Sequence, residues 1–475
     1  MMTPKDDFFG ESEELKEILH QFDRLRKGQS HAFLDEEDFE QIIDYFDDRD
    51  DLKQAIQAAD LGIERFPYSS TLMLKKADLL IATKHYRQAL QVLEQAEIYD
   101  QSQIHLYLLK TEAYLALGEY DKAVAMLENR IEHFDGEEQM ELLLELADVY
   151  DDWDQFNQVF DCLVRILKID PNHEEALHKI CFWTEFSGRY EESIKLHQWI
   201  IDENPYNELA WFNLGAAYQG LKLYEKAIDA YAYALAIDEK FDYAYRNMAD
   251  AYMKLRKYDA AIDVLQQQLQ VANPEDVIYE AIGLCYEKLK KYAQARHYYR
   301  KAYRLSPHDE KLQLRIGLTY MQERNWMNAA DALQVALVLN PQMVKCWEAL
   351  GECMLQLHNE EEAIRCFVKA THLRPSSVQA WQLLIRALYL AGDYEEAYRQ
   401  SYMAETHTGA KAIYHYYRTA ILLAMGKNKE ALIQLETGLQ LAPRQVKKLI
   451  DLCPAVLQRS AVNDLISRYR KKKDS

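Results

Sequence analysis

Apolar residues recur along this chain with the 3.6-residue period of an amphipathic helix. Trp211, Leu214, Gly215 and Tyr218 share one helical face, and Ala227, Tyr231 and Ala234 share a face of the next candidate helix. A glycine on the first buried face is expected to leave room for a neighbouring backbone, so that the two helices lie close together. The pattern then repeats. With Glu208 as position 1, units of 34 residues begin upstream at Glu174 and Met140, and downstream at Asp242, Asp276, Glu310, Val344, Val378 and Ala412. A two-residue slip at Glu138 and Gln139 restores the phase at Ile104, Ser70 and Glu36. Twelve units cover 36–445, and an altered hairpin loop or local bend is expected at Asp135–Gln139.

The residues test this register. Position 20 is alanine in ten of twelve units, from Ala55 to Ala431. Position 32 takes seven of the ten prolines, among them Pro67, Pro205, Pro341 and Pro443. Position 17 is aromatic in nine units, including Tyr86, Tyr224, Tyr292 and Trp326. An arbitrary phase would scatter all three residue types.

With Trp, Leu, Gly and Tyr in the first helix, Ala and an aromatic in the second, and Pro at the end, the unit resembles the tetratricopeptide repeat (TPR) family. The resemblance implies an all-α, right-handed α-solenoid, a superhelix of stacked antiparallel helix pairs. It also implies a protein-binding scaffold. Physical reasoning agrees about the fold: one hairpin cannot cover its own apolar faces, so neighbouring units bury what remains. Small residues at positions 8 and 20 let each pair close, and proline at 32 stops one helix just before the next.

The chain then divides into an acidic capping helix over 1–35, units 1–3 over 36–137, the slip at 138–139, units 4–12 over 140–445, and capping helices with a basic tail over 446–475. At the front, Ser12 is a candidate N-cap, Leu15, Ile18, Leu19, Phe22 and Leu25 recur at helical spacing, and Gly28 suits the exit. At the back, Pro454 interrupts a would-be thirteenth first helix, and Val462, Leu465, Ile466 and Tyr469 share a face.

Composition changes the picture in two places. Strand signals and a membrane-spanning apolar run are both missing, and the acidic N-terminus does not read as a signal peptide, so a cytoplasmic protein is expected. Seven cysteines without a CxxC pair read as reduced, small apolar fillers. The net charge of −21 argues against general nucleic-acid binding. It is unevenly spread: residues 1–60 hold 18 acidic and 7 basic side chains, whereas 444–475 hold 9 basic and 3 acidic. The basic end SRYRKKKDS reads as a solvated terminus, with peripheral contact to RNA, ribosome or an anionic membrane as the sharper alternative.

Catalytic spacings are nearly absent. His173 and His178 in HEEALH resemble a zinc-protease signature, but a five-residue spacing takes the two off a shared helical face. Glycines sit at packing positions, with no phosphate-cradling loop. No enzyme activity, metal or cofactor is expected.

Function is therefore expected on the face not used for packing. Positions 2, 5, 6, 9 and 13 of each first helix lie opposite the buried stripe, and the resemblance implies that they line a concave groove. Early units are acidic there: Glu37, Glu40, Gln41, Asp44 and Asp48 in unit 1, and Glu141, Glu145, Asp148 and Asp152 in unit 4. From unit 7 come Tyr243, Arg246, Asn247 and Lys254, then Lys311, Leu314 and Arg315, then Lys345 and Arg386. Phe182, Phe186, Phe212, Tyr416 and Tyr417 intersperse aromatic surface. A groove acidic early and more basic later is expected, with a partner carrying an acidic segment on Arg246, Lys254, Lys311, Arg315 and Lys345 and apolar anchors at Tyr243 and Leu314. For each single charge, the blander account is a solvated helix face.

The carboxylate clamp of co-chaperone TPR domains fits poorly. Lys311 and Arg315 match it, but Asp250 stands where an asparagine is needed and Ala281 fills the next slot. Two functions remain: an adaptor holding partner proteins along the groove, or a peptide-binding chaperone or assembly factor acting on nascent or unfolded segments.

Overall fold

The computed structural model describes residues 13–27 and 33–471, so Ser12, Gly28 and the last four residues of the tail lie outside the described residues. Within these there are 27 α-helices and two short 3-10 helices, with no strand. The chain is an all-α solenoid of consecutive helix pairs. It divides into two compact units, residues 1–244 and 245–475.

Six of the first helices start where a polar side chain just ahead of them caps a free backbone N–H. Ser69, Asn207 and Ser377 accept from Leu72, Ala210 and Ala380. His173 does the same for Ala176 through Nδ1 at 3.2 Å. That bond gives the first histidine of HEEALH a structural job, while His178 stands exposed, 3.8 Å from Glu174.

The glycine at position 8 works differently from the expectation. It receives a side chain, not a backbone. A Cβ at Gly215 would lie 2.5 Å from the Tyr231 ring, and one at Gly351 would lie 2.5 Å from Phe367. Both partners occupy position 24 of the same repeat and are fully buried. Tryptophan at position 4 and proline at position 32 are also linked. The indole N–H of Trp211, Trp347 and Trp381 donates to the carbonyl of Pro205, Pro341 and Pro375 at 2.8–2.9 Å. Each bond ties a repeat to the one before it.

Between first and second helices, position 15 takes the left-handed conformation in all twelve repeats, with φ between 56° and 80°. Only Gly118, Gly188, Gly392 and Gly426 are glycine there. The other eight are Asp50, Lys84, Asp154, Lys222, Arg256, Lys290, Arg324 and His358. The following N–H then reaches back to the position 11 carbonyl, as Leu223 does to Tyr218 at 2.9 Å and Lys291 to Tyr286 at 2.9 Å. This is the Schellman closure of a helix end.

The two slip residues fall inside a helix. The first helix of repeat 4 is Gly136–Asp152, 17 residues against 13 in repeats 6, 8, 9, 10 and 11, and it starts before Glu138 and Gln139. At the start of the first unit, Phe22 of the helix Glu13–Arg26 packs on Phe39 and Phe46 at 6.5 and 6.1 Å between ring centroids. In the second unit the chain ends with helices Val446–Leu452 and Ser460–Lys471, joined by a 3-10 turn opening at Pro454. No helix among the described residues is long and apolar enough to cross a membrane.

Candidate protein-binding surface

In the first unit, first helices pack side by side and leave their polar positions outward. Glu37, Asp44 and Asp48 of the helix Glu36–Asp47 and its cap are exposed, and Glu40 is half-buried. A cleft of about 310 Å³ runs between the first helices of repeats 1–3, lined by Asp44, Asp47, Thr71, Lys75, Asp78 and His105. Lys75 pairs with Asp44 there. Burial, with Asp78, Asp48 and Asp44 nearby, raises the Asp47 carboxyl above the usual range. Glu40 is also raised, mainly by burial and against the pull of Lys75.

Repeat 4 repeats the crowding. Glu141, Glu145, Asp148 and Asp152 follow one another at spacings of three and four along a single helix, so they share a face. Lys179 of the next first helix, Glu174–Ser187, answers Asp148 at 3.1 Å and Glu175 at 3.0 Å. Glu145 holds no ion pair among the described residues. Burial, reinforced by Asp148, Glu112, Glu141 and Asp152, pushes its carboxyl up to about 7.

One turn beyond Lys179 come two bare rings. Phe182 and Phe186 are 54% and 55% exposed, and their centroids lie 4.4 Å apart. Trp183 and Phe156 support them from below, at 5.0 Å from Phe182 and 5.9 Å from Phe186. Tyr243, also in this unit, is 61% exposed with its ring against Phe241.

The basic positions of the second unit are answered from within. Arg246 lies 2.7 Å from Glu275, Arg315 lies 2.9 Å from Glu280, and Lys254 lies 3.9 Å from Asp250. Asn247 is half-buried. Lys311, Lys345 and Arg386 are exposed and hold no ion pair among the described residues. They belong to the first helices of repeats 9, 10 and 11, which pack in succession. Of the basic residues expected to meet a partner, Lys311, Lys345 and Arg386 are thus the ones without an ion pair among the described residues.

Three expected groove residues are core instead. Leu314 is 8% exposed, packed in a cluster with Ala329, Leu333 and Leu337, because position 5 borders the buried stripe closely. Tyr416 and Tyr417 are 0% and 6% exposed. The helix Val446–Leu452 packs onto their helix, and Tyr416 shares a core with Val446 and Leu449.

In repeat 10, burial raises Glu348 and Glu352 above the usual carboxylate range, against the pull of Arg374 and Lys345 on the first and Arg386 on the second. The cysteines are unpaired, and burial pushes Cys162, Cys285, Cys346, Cys353 and Cys366 up to about 12, far from a reactive thiolate. No metal-holding group of three or more His, Cys, Asp or Glu exists among the described residues. His197 is fully buried, neither ring nitrogen has a hydrogen-bond partner, and desolvation lowers its pKa to about 3.

Stacked helix pairs whose outward face carries charge and bare aromatic rings define a repeat scaffold. Family models agree. Models described as tetratricopeptide repeat match residues 80–145, 186–240 and 355–406, and one described as the C-terminal ARM domain of tetratricopeptide repeat protein 21 matches 217–346. The chain is a tetratricopeptide repeat protein, and its repeats imply a protein–protein interaction scaffold in a family that is generally non-catalytic. No curated protein matches the chain. Among solved structures it is similar to YrrB, described as a TPR protein with an unusual peptide-binding site, at 20% identity, covering 39% of this chain and 95% of that one, TM-score 0.34. It is similar to the Cut9–Hcn1 hetero-tetramer at 15% identity, covering 89% and 96%, TM-score 0.34. A TPR protein from Cytophaga hutchinsonii matches at 18% identity, covering 54% and 99%, TM-score 0.43.

Proposed function

We propose that this protein is a non-catalytic adaptor that holds an acidic segment of a partner protein on the first helices of repeats 9–11. The observation that carries this reading is the set Lys311, Lys345 and Arg386, three exposed cations with no ion pair among the described residues, on successive first helices. Neighbouring Arg246, Lys254 and Arg315 already have carboxylates and contribute less, because a partner must displace Glu275, Asp250 or Glu280 first. Unpaired thiols throughout support a reducing compartment, and we assign the protein to the cytoplasm on that basis.

Several such contacts steer association and respond to salt, while each exposed pair contributes about 0.2–1 kcal/mol. Reversing Lys311, Lys345 and Arg386 together to glutamate should weaken binding on the order of a hundredfold, at about 1 kcal/mol each. The measurement is a titration of the partner recovered by affinity from the native host, at low and high salt. Full affinity in the triple variant with an unchanged salt response would remove this surface from consideration.

A further inference from the structure

Among the described residues, the ring pair of repeat 5 has no counterpart on the other first-helix faces. Phe182 and Phe186 sit four residues apart on one helical face, each more than half exposed. They are held rigid by Trp183 and Phe156 beneath them, at 5.0, 5.5 and 5.9 Å between centroids across this four-ring cluster. Placing two phenyl rings in water forgoes the burial that every other phenylalanine-sized core residue obtains, roughly 25 cal/mol for each Å² left wet. Exposed apolar patches rimmed by polar residues mark interaction sites.

What flanks the rings states the chemistry of an occupant. The Asp148–Lys179 contact at 3.1 Å aligns position 9 of repeat 4 with position 6 of repeat 5. One turn on from each, Asp152 is therefore in register with Phe182, with Glu141 and Glu145 extending the acidic row behind Asp148. Lys179 is the one cation paired there, and its charge is shared between Asp148 and Glu175. On the opposite flank the first helix of repeat 6 packs directly against this one, with Ala216 and Gly220 at the same register positions and the Tyr190 ring filling the space at Gly220. The strip is thus a preformed aromatic platform, with its two rings more than half exposed and carboxylates along one side.

We propose that this strip on repeats 4 and 5 is a separate binding site for a basic protein segment, one large apolar or aromatic side chain stacking on Phe182 and Phe186 while flanking lysines or arginines meet Glu141, Glu145 and Asp152. It is independent of the acidic-segment reading for repeats 9–11 and takes a partner of opposite charge. A cationic side chain arriving over Phe182 gains twice, from the ring face and from the carboxylates beside it.

The test uses the full chain and a short labelled peptide of alternating lysine and arginine around one central tryptophan. Two controls accompany it: the same peptide with serine replacing tryptophan, and an acidic peptide around tryptophan. The basic tryptophan peptide is expected to bind at least tenfold more tightly than the serine peptide, and the acidic peptide not at all at this site. The double variant Phe182→Ser, Phe186→Ser should lose that tenfold and bind both basic peptides alike. Asp152→Lys should weaken both basic peptides and steepen nothing in their difference. All three residues are exposed or surface-supported, and an unchanged melting transition confirms that the variants fold. Equal binding of the two basic peptides to the wild type would mean that only the general negative charge attracts them, and the proposal falls. So would an undiminished tryptophan preference in the double phenylalanine variant. Reversing Lys311, Lys345 and Arg386 should leave this titration unchanged, which keeps the two sites distinguishable.

Discussion

The two units carry the same repeat and treat charge on its outward face in different ways. In the second, Arg246, Arg315 and Lys254 each find a carboxylate within 4 Å. In the first, burial, reinforced by neighbouring carboxylates, raises Glu40, Asp47 and Glu145 above their ordinary range. In the second, burial raises Glu348 and Glu352 likewise, but with Lys345, Arg374 and Arg386 pulling against it. Both units have paid for folding in their cores, so the difference concerns what the surface is left to do. A face whose charges are internally paired has little to offer a ligand. One whose carboxylates repel one another is improved by a cation from outside. Lys311, Lys345 and Arg386 are the exceptions in the second unit, and for the same reason they are the residues assigned to a partner there.

The cores should not differ. Ala227 in the first unit and Ala295 in the second both occupy position 20 with no exposure. Arginine at either place drives a long charged side chain between closely packed helices and should cost about 4 kcal/mol or more. Thermal unfolding followed by circular dichroism should show two large and similar losses. A mild effect in one unit alone would mean that its helix pairs are packed more loosely than the other's.

The surfaces should differ in sign. Glu145→Gln removes a carboxylate that burial and its acidic neighbours oppose, and should stabilise by about 1–2 kcal/mol above neutral pH. Glu280→Gln removes the partner of Arg315 and should cost about 0.5–1 kcal/mol. The pH dependence follows from two groups of the first unit. The folded-state pKa of Glu145, about 7, is above the ordinary 4.5, so the folded state binds its proton first and stability rises as pH falls from 7 to 4.5. His197 is the reverse: its folded-state pKa of about 3 is below 6.5, so stability falls as pH drops through that range. Between pH 6.5 and 4.5 their slopes oppose each other. Glu145→Gln should therefore expose a loss of stability on acidification that the wild type largely masks, and His197→Leu should expose a gain. Urea denaturation at pH 8, 6 and 5 reads this directly. Parallel curves for wild type and Glu145→Gln would refute the account of Glu145.

How much of this could be read from the residues varies with how local the cause is. Alanine at 20, proline at 32 and the aromatic at 17 repeat because their roles repeat, and they set the register of the helices. The use of glycine at 8 is not legible, since a sequence shows an empty volume and not whether a backbone or the ring of Tyr231 fills it. Leu314 is buried although the repeat pattern points it outward, because position 5 lies at the edge of the stripe, where a few degrees of helix rotation decide burial. Tyr416 and Tyr417 follow the repeat rule and are covered by a segment outside the repeat. Pairs such as Arg246–Glu275 and Arg315–Glu280 depend on how adjacent first helices slide past each other, which no single repeat records.

The left-handed residue at position 15 was the least legible feature, because eight of its twelve occupants are not glycine, and it supplies the smallest expected effect. Lys222 of the first unit and Lys290 of the second are exposed, with φ of 61° and 59°. A residue with a Cβ loses about 1–2 kcal/mol in this region relative to the right-handed one. Glycine escapes that cost, but its freer unfolded chain takes back about 0.5–1 kcal/mol. Lys222→Gly and Lys290→Gly should each therefore gain about 0.5 kcal/mol. Gly188→Ala tests the converse: an added methyl would meet nothing within 4 Å, so any loss is conformational and not steric. It should cost about 1 kcal/mol. Unlike the surface carboxylates, this position is the same in both units, so the two lysine variants should shift the melting midpoint equally. Unequal shifts would show that charge at Lys222 or Lys290, and not backbone geometry, governs the turn.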